Sequence, residues 1–316
     1  MSFLQKFRKV VFTVVSFSLI VTVMDALAEF PDRPVDLICN YGPGGGADQF
    51  SRALSPILSK QLGVKVQVSN VTGAAGNNGI HRTATSKPDG YTIGTITGLS
   101  VSSWLKGHGK LRAKDMTFLA IGQVTDSMLF VPTNSPYKTF KDLLAAAKAN
   151  PDKIKVAISG RGGADDVTMT YMAGKGYKFR TVPYEKPAER YAAPIGGHVD
   201  VMYEEPGDVR QFVKNKQIRP IVVFSNQANR YHPKVPIVTD FGLDVYFQNF
   251  RGIITGKDVP KAEKEVLNKA LNKAFTSDAF NVFCNKTSTC TNARTVEDSR
   301  QFVEKYFKGL EKYSKN

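Results

Sequence analysis

The sequence predicts an α/β fold of two lobes that face each other across a ligand-binding cleft. Strand-like and amphipathic helical segments alternate along the chain, which is typical of parallel or mixed sheets covered by helices on both faces. Three glycine-rich loops follow predicted strands, and open α/β sheets bind ligands at the carboxyl ends of their strands. A chain of 316 residues, 42% of them hydrophobic, is long enough for two cores.

The first 28 residues have the pattern of a cleavable signal peptide and are expected to lie outside the fold. Basic residues precede an apolar run over residues 10–24, and Ala26-Leu27-Ala28 matches the small-x-small cleavage pattern. The apolar run is shorter than the roughly 20 residues of a membrane span. The mature chain would begin at Glu29 and leave the cytoplasm, and an uncleaved signal anchor is the alternative.

The predicted elements begin with a strand over Val35–Cys39 and a helix over Asp48–Leu62, in which Pro56 is expected to cause a kink or a break. A helix capped by Thr139 and Asp142 is predicted before Asn150. Further strands are predicted at residues 64–68, 91–95, 155–158, 180–182, 199–202 and 221–224, and further helices near residues 80–85, 266–275 and 302–310.

Charge and cysteine content narrow the class of protein. The formal net charge is +15, but the lysines are spread along helices and no nucleic-acid recognition motif accompanies them. Such a surface is compatible with acidic small molecules or an anionic membrane. In an exported protein, Cys284 and Cys290 are expected to form a disulfide worth roughly 2 kcal/mol. Cys39 is predicted to be buried, and no cluster of residues has metal-ligand spacing.

The loop from Gly42 to Ala47 lies between a strand and a helix, where backbone N–H groups at the positive end of a helix dipole bind anions. It also satisfies the pattern of a dinucleotide-binding loop. That site would need an acidic residue about 20 positions on, at the end of the second strand. At the end of the predicted second strand stand Ser69 and Asn70 instead, which argues against a dinucleotide.

No catalytic motif is evident. The chain lacks a Walker loop and a G-x-S-x-G elbow. The adjacent carboxylates Glu204 and Glu205 could act as an acid/base pair or stabilise a helix N-terminus. The histidines are scattered, so each is interpreted as a surface or structural residue: His81, His108, His198 and His232.

Six blocks of sequence, taken together, resemble the solute receptors of tripartite tricarboxylate transporters, the Bug-type proteins, over nearly the whole mature chain. They are Phe30-Pro31-Asp32-Arg33-Pro34, Gly44-Gly45-Gly46-Ala47-Asp48, Gly73-Ala74-Ala75-Gly76-Asn77, Lys87-Pro88-Asp89-Gly90-Tyr91-Thr92, Val182-Pro183-Tyr184 and Gly196-Gly197-His198-Val199-Asp200-Val201-Met202. The resemblance implies a monomeric periplasmic binding protein with a Venus-flytrap architecture, without cofactor, metal or catalytic residues. It implies a small carboxylate ligand and a membrane permease as partners.

In that family two loops pinch the carboxylate through backbone N–H groups and water, which implies that Tyr41–Asp48 and Ser159–Asp166 form the site here. The implied domains are residues 29–128 with 249–316, and residues 129–248. The candidate ligand-binding residues are Tyr41, Gly44, Gly45, Gly46, Ala47, Asp48, Asn77, Thr97, Ser159, Gly160, Arg161, Gly162, Asp166, Tyr184 and Glu204. Asp48 could instead only cap its helix.

The second loop departs from the family pattern, which usually continues with Ser or Thr and His. This chain has Gly163, Asp165 and Asp166 at those places. Arg161 could grip a carboxylate through two hydrogen bonds or pair with Asp165 on the surface. Asp166 could accept a hydrogen bond from the ligand or cap the helix.

The acidic residues suggest the hypothesis that the ligand carries a donor or cationic group opposite its carboxylate, as an amino acid or a nicotinate-like acid does and citrate does not. Glu204 and Glu205 add to them, because the family more often has Asp and Asn there. Two alternatives stay open: a secreted hydrolase or lyase that uses Glu204 or Asp166 as a base, and a receptor that signals to a sensor kinase.

Overall fold

The computed structural model describes residues 30–246, 248–292 and 294–314, so the predicted signal peptide lies outside the described residues. The strands are β1 (Val35–Cys39), β2 (Val66–Asn70), β3 (Thr92–Thr97), β4 (Met116–Thr125), β5 (Met128–Pro132), β6 (Lys155–Ile158), β7 (Arg180–Pro183), β8 (Val201–Glu204), β9 (Ile218–Val223), β10 (Asn249–Gly256) and β11 (Cys290–Asn292). The α-helices are α1 (Gly46–Leu62), α2 (Asn77–Ala84), α3 (Gly98–Ser103), α4 (Phe140–Ala149), α5 (Ala164–Gly174), α6 (Pro187–Ile195), α7 (Arg210–Lys214), α8 (Lys261–Phe275), α9 (Asp278–Lys286) and α10 (Val296–Ser314). In the described part of the chain, no helix combines the length and the apolar content that a bilayer crossing requires.

Two mixed sheets organise the chain, which confirms the predicted two-domain α/β fold. The first lobe contains a six-stranded sheet in the order β11-β4-β10-β3-β1-β2, and the second lobe a five-stranded sheet in the order β7-β6-β8-β5-β9. In the first sheet β1 runs parallel to β2 and β3, whereas β10 is antiparallel to its neighbours β3 and β4. The chain crosses between the lobes after β4 and again before β10.

Each sheet buries aliphatic and aromatic side chains against its flanking helices. In the first lobe, the rings of Phe50, Phe275 and Phe280 pack together between α1, α8 and α9. The C-terminal helix α10 joins the two lobes: Val303 packs in a first-lobe core, whereas Leu310 and Tyr313 pack in the core of the second lobe. The last helix therefore supports both sides of the cleft.

The helix that follows the first glycine loop differs from the prediction at Pro56. The helix α1 runs unbroken from Gly46 to Leu62 with Pro56 inside it, so the predicted break is absent. Pro56 lies on the exposed side of α1. Water can therefore hydrate the carbonyl group that the missing proline N–H leaves without a partner, which lowers the cost of proline in a helix interior.

The strand β2 lies two residues later than predicted, because its register with β1 extends to the pair Cys39–Asn70. Cys39 is fully buried, as predicted. Cys284 is also buried, whereas the side chain of Cys290 lies outside the described residues, so the disulfide between them stays a prediction.

Candidate functional site

Two glycine loops with matching geometry stand at the carboxyl ends of β1 and β6. We call residues 41–48 the first jaw and residues 159–166 the second jaw. Gly44 and Gly162 both have φ +80°, a conformation that favours glycine. The next residues, Gly45 and Gly163, are extended N-caps of α1 and α5. The jaws share the pattern G-x-G-G-x-x-D, an internal repeat that the sequence analysis missed.

The last aspartate of each jaw holds its own loop in place. Gly44 donates its N–H to Asp48 over 2.9 Å, and Gly162 donates to Asp166 over 2.8 Å. Asp48 also accepts hydrogen bonds from Arg52 and Asn70. Although burial opposes it, these hydrogen bonds lower the pKa of the Asp48 carboxyl group. The aspartates position the jaws rather than extend into the cleft.

Asp165 and Arg161 do not form the surface ion pair that was one interpretation of the sequence. Asp165 is 1% exposed, and its carboxylate accepts hydrogen bonds from the N–H and the hydroxyl of Ser159 over 2.5 and 2.6 Å. Burial raises the pKa of the Asp165 carboxyl group. Arg161 donates to the hydroxyl of Thr181 instead and lines a cavity between the jaws.

The jaws face each other across two adjoining cavities. The outer cavity, of about 240 Å³, is lined by residues 72–76 and His108 on one side and by residues 159–161 on the other. The inner cavity, of about 20 Å³, lies deeper and has room for one water-sized group. Tyr41 and Ser159, which occupy equivalent positions in the two jaws, line both cavities.

The second lobe packs directly onto the first jaw. A Cβ atom on Gly46 would overlap the carboxylate of Asp208 and the guanidinium of Arg251, and one on Gly45 would lie 2.7 Å from Pro187. Asp208 and Pro187 belong to the second lobe. The glycines of the first jaw are therefore required for the close approach of the two lobes.

Buried charges form the floor of the inner cavity. Arg190 donates to Glu204 over 2.6 Å, and Arg251 donates to Asp208 over 2.5 Å, while Glu205 lies 3.6 Å from Arg251. Each of these side chains is at most 7% exposed. Burial raises the pKa of Asp208 to about 6, and burial with repulsion from Glu204 raises the pKa of Glu205 further above its ordinary value.

The structure brings most of the predicted site residues to the cleft. The inner cavity is lined by Tyr41, Gly45, Gly46, Ala47, Thr97, Ser159 and Glu204, and the outer cavity by Tyr41, Ser159, Gly160 and Arg161. Gly44, Asp48, Gly162 and Asp166 belong to the jaws but are not among the lining residues of either cavity.

Two predicted residues lie away from both cavities. Asn77 is buried beneath the loop of residues 73–76. Its side-chain amide donates hydrogen bonds to Ala74 and Ser103 and accepts one from the indole of Trp104. Tyr184 packs against a core of the second lobe and accepts a hydrogen bond from Arg190 at its backbone carbonyl.

Four buried residues of the floor were not predicted from the sequence: Arg190, Asp208, Asn249 and Arg251. They lie on α6, after β8 and on β10, far apart in the chain and outside any motif. The interpretation of His108 as a surface or structural residue also overlooked its position, since it lines the outer cavity.

Replacing Asp48 with alanine is expected to loosen the first jaw. The change leaves the Gly44 N–H and the Asn70 amide without their acceptor, and a lost buried hydrogen bond to a charged group costs about 1.5–3 kcal/mol. Chemical denaturation of the variant measures this loss. Asp36→Ala in β1, an exposed aspartate, is the control. An unchanged stability of Asp48→Ala would contradict the positioning role.

Comparison with known proteins agrees with this architecture. The sequence profile of the tripartite tricarboxylate transporter family receptor matches residues 50–311. The chain is 26% identical to the protein BugT of Bordetella pertussis over 282 residues, which cover 87% of this chain and 86% of BugT.

Solved structures share the fold. MatC from Rhodopseudomonas palustris, solved with bound malate, superposes with a TM-score of 0.83 at 19% identity, covering 90% of this chain and 100% of MatC. The R. palustris protein Rpa4515, solved with adipate, gives a TM-score of 0.84 at 21% identity and covers 90% of this chain and 97% of that protein. With a family profile that matches most of its length, this chain belongs to the receptor family of the tripartite tricarboxylate transporters.

Proposed function

We propose that this protein is a periplasmic receptor that closes its two lobes on a small organic carboxylate and delivers it to the membrane permease of a tripartite tricarboxylate transporter. One observation carries the proposal: two glycine loops of matching geometry, each opening a helix, meet across a cleft. The first N–H groups of a helix have no partner within the helix, so each jaw offers donors to an anion. The relatives solved with malate and adipate hold acids of this kind.

The jaws supply the carboxylate contacts in this proposal. Gly46 and Ala47 present the N-terminus of α1 to the inner cavity, and Ser159, Gly160 and Arg161 line the opposite side of the cleft. The guanidinium of Arg161 adds a cation at the outer cavity. An amino acid, a dicarboxylate or an aromatic or heteroaromatic acid is small enough for the combined cavities once the lobes open and reclose.

The proposed domains match the two sheets except at Met128, the first residue of β5 in the second sheet. The first comprises residues 29–128 and 249–316, and the second comprises residues 129–248, with residues 1–28 as the cleaved signal peptide. The chain crosses between the two sheets twice, after β4 and before β10. The lobes can hinge about these two crossings. The receptor acts as a monomer and releases its ligand chemically unchanged.

Isothermal titration calorimetry of the mature chain against a panel of acids tests the proposal. The panel contains malate, adipate, several amino acids, and benzoate and nicotinate with their amino derivatives. We expect binding of at least one acid at one molecule per chain, and mass spectrometry should recover that acid unchanged after prolonged incubation. Binding of none of these acids, or conversion of the bound acid into a product, would overturn the proposal.

A further inference from the structure

We propose that the inner cavity binds an ammonium group, so that this receptor selects amino acids over carboxylates that lack an amine. The inference rests on the proposed function and identifies the class of ligand. It places the cationic group of the ligand against Glu205, Asp208 and Asn249 rather than against Asp166. These three residues come from both lobes and meet only at the inner cavity.

Three acceptor atoms at this cavity receive no hydrogen bond from the described residues. Glu205 accepts from Ser127 through Oε1, but its Oε2 has only the guanidinium of Arg251 at 3.6 Å. Asp208 accepts a hydrogen bond from Arg251 through Oδ2, and its Oδ1 receives none from the described residues. Asn249 is 1% exposed, and its Oδ1 is a buried acceptor without a partner. An unsatisfied buried acceptor such as Oδ1 of Asn249 is costly, and an ammonium group carries three N–H donors.

The charges at the cavity also favour a single positive charge. Three carboxylates face it, on Glu204, Glu205 and Asp208, and one oxygen of each lies within 4.8 Å of the other two. Two guanidinium groups balance them, on Arg190 and Arg251. When all three carboxylates are ionised, one negative charge is left over in a buried site, and a buried charge without a partner is strongly unfavourable. A monovalent ammonium neutralises it, whereas a divalent metal ion would leave an excess positive charge beside two guanidiniums.

The size of the cavity fits the same group. Its volume of about 20 Å³ holds one water-sized group, which admits an ammonium but not a second carboxylate. In an α-amino acid the carboxylate lies next to the ammonium. With the ammonium in the inner cavity, the carboxylate would lie at Tyr41 and Ser159, where the two jaws meet, and the side chain of the ligand would lie in the outer cavity.

Matched pairs of acids that differ only in the amino group test the inference: aspartate with succinate, glutamate with glutarate, and phenylalanine with 3-phenylpropionate. Calorimetry should show at least one amino acid that binds roughly 10- to 100-fold more tightly than its partner without the amine. Equal or tighter binding of the acids without the amine would overturn the inference and leave the proposed function intact. Binding of neither member of any pair would overturn the inference, and the proposed function would fail as well only if the remaining acids of the panel did not bind.

The variant Glu205→Gln separates recognition of the amine from general effects on the cleft. It should weaken binding of the preferred amino acid roughly 10- to 100-fold and leave binding of its partner acid unchanged. Glu189→Gln is the control, because Glu189 is an exposed residue of α6 that pairs only with Lys186 among the described residues. An equal loss for both members of the pair would contradict the role of Glu205.

The melting temperature of unliganded Glu205→Gln shows that the variant folds. Because the change removes a buried carboxyl group that can carry the excess charge, the temperature should stay the same or rise. A lower melting temperature would indicate that Glu205 stabilises the fold instead, and would contradict the inference.

The affinity for the amino acid should also depend on pH. An ammonium pairs with ionised carboxylates. The pKa of Asp208 is raised to about 6 and that of Glu205 is also raised, so these groups must release protons as the amino acid binds. The affinity should therefore rise, by at most about tenfold per pH unit for each proton released, as the pH increases through 6. Affinity that falls over this range would contradict the inference. The charged and titratable groups that face the cluster are Glu204, Arg190, Tyr191, Tyr203, Arg251 and Tyr306.

Discussion

Replacing Gly46 with alanine is expected to reduce ligand affinity roughly 100-fold while the protein still folds. A methyl group at this position would overlap the carboxylate of Asp208 and the guanidinium of Arg251 in the closed arrangement. Both side chains are buried and paired with each other, so neither can move aside without breaking the ion pair. Overpacking of this kind costs about 1–3 kcal/mol, and each 1.4 kcal/mol corresponds to a factor of ten in affinity.

The fold itself should tolerate the change. Gly46 is the first residue of α1 and is not among the residues with positive φ, so alanine can adopt its backbone conformation. Alanine also has the higher helix propensity, by about 1 kcal/mol. The expected signature is lost binding in calorimetry with an unchanged or higher melting temperature.

The matched control is Gly309→Ala in α10, where an added Cβ would have no atom within 4 Å. This variant should bind ligand like the unmodified protein. Normal affinity in Gly46→Ala would show that the lobes do not close directly over the first jaw when the ligand binds.

Replacing Arg190 with methionine is expected to destabilise the second lobe by about 3–5 kcal/mol, because it leaves the buried carboxylate of Glu204 without its partner. Arg190 donates two hydrogen bonds to Glu204 and a third to the carbonyl of Tyr184. Attraction to Glu204 outweighs burial and raises the pKa of the Arg190 guanidinium. Thermal and chemical denaturation measure the loss.

A double variant identifies the cause of this destabilisation. Arg190→Met with Glu204→Gln removes both charges, so much of the lost stability should return. Arg300→Met is the control, since Arg300 pairs with Glu297 and Glu304 on the exposed surface, and it should leave stability nearly unchanged. If the double variant were as unstable as the two single losses combined, an uncompensated charge would not be the reason.

The jaws could be predicted from the sequence because the interactions that shape them join residues close together in the chain. A buried strand, a glycine-rich turn and a helix start fall within a dozen residues, and this order places helix N–H groups at a sheet edge whatever the rest of the chain does. Asn70 illustrates how local evidence also excludes a function. It ends the second strand, where a dinucleotide site needs an acidic residue. In the structure its side-chain amide donates hydrogen bonds to the carboxylate of Asp48 and the backbone carbonyl of Tyr41.

The floor of the cleft could not be predicted, because it depends on contacts between distant parts of the chain. Arg251 reaches Asp208 only because β10 returns to the first sheet and brings Arg251 beneath the loop that follows β8. Asp166 shows the converse difficulty. Its position in a loop was compatible with a contact with the ligand or with a helix cap, and in the structure its carboxylate accepts the N–H of Gly162. In the sequence, a carboxylate that accepts a hydrogen bond from its own loop looks the same as one that binds a ligand.

A crystal structure of the mature protein with the acid that binds most tightly tests the central claim most directly. The account predicts closed lobes with carboxylate oxygens within about 3 Å of backbone N–H groups from both jaws, directly or through one water. A ligand carboxylate held by the side chains of one lobe alone, away from residues 41–48 and 159–166, would contradict it.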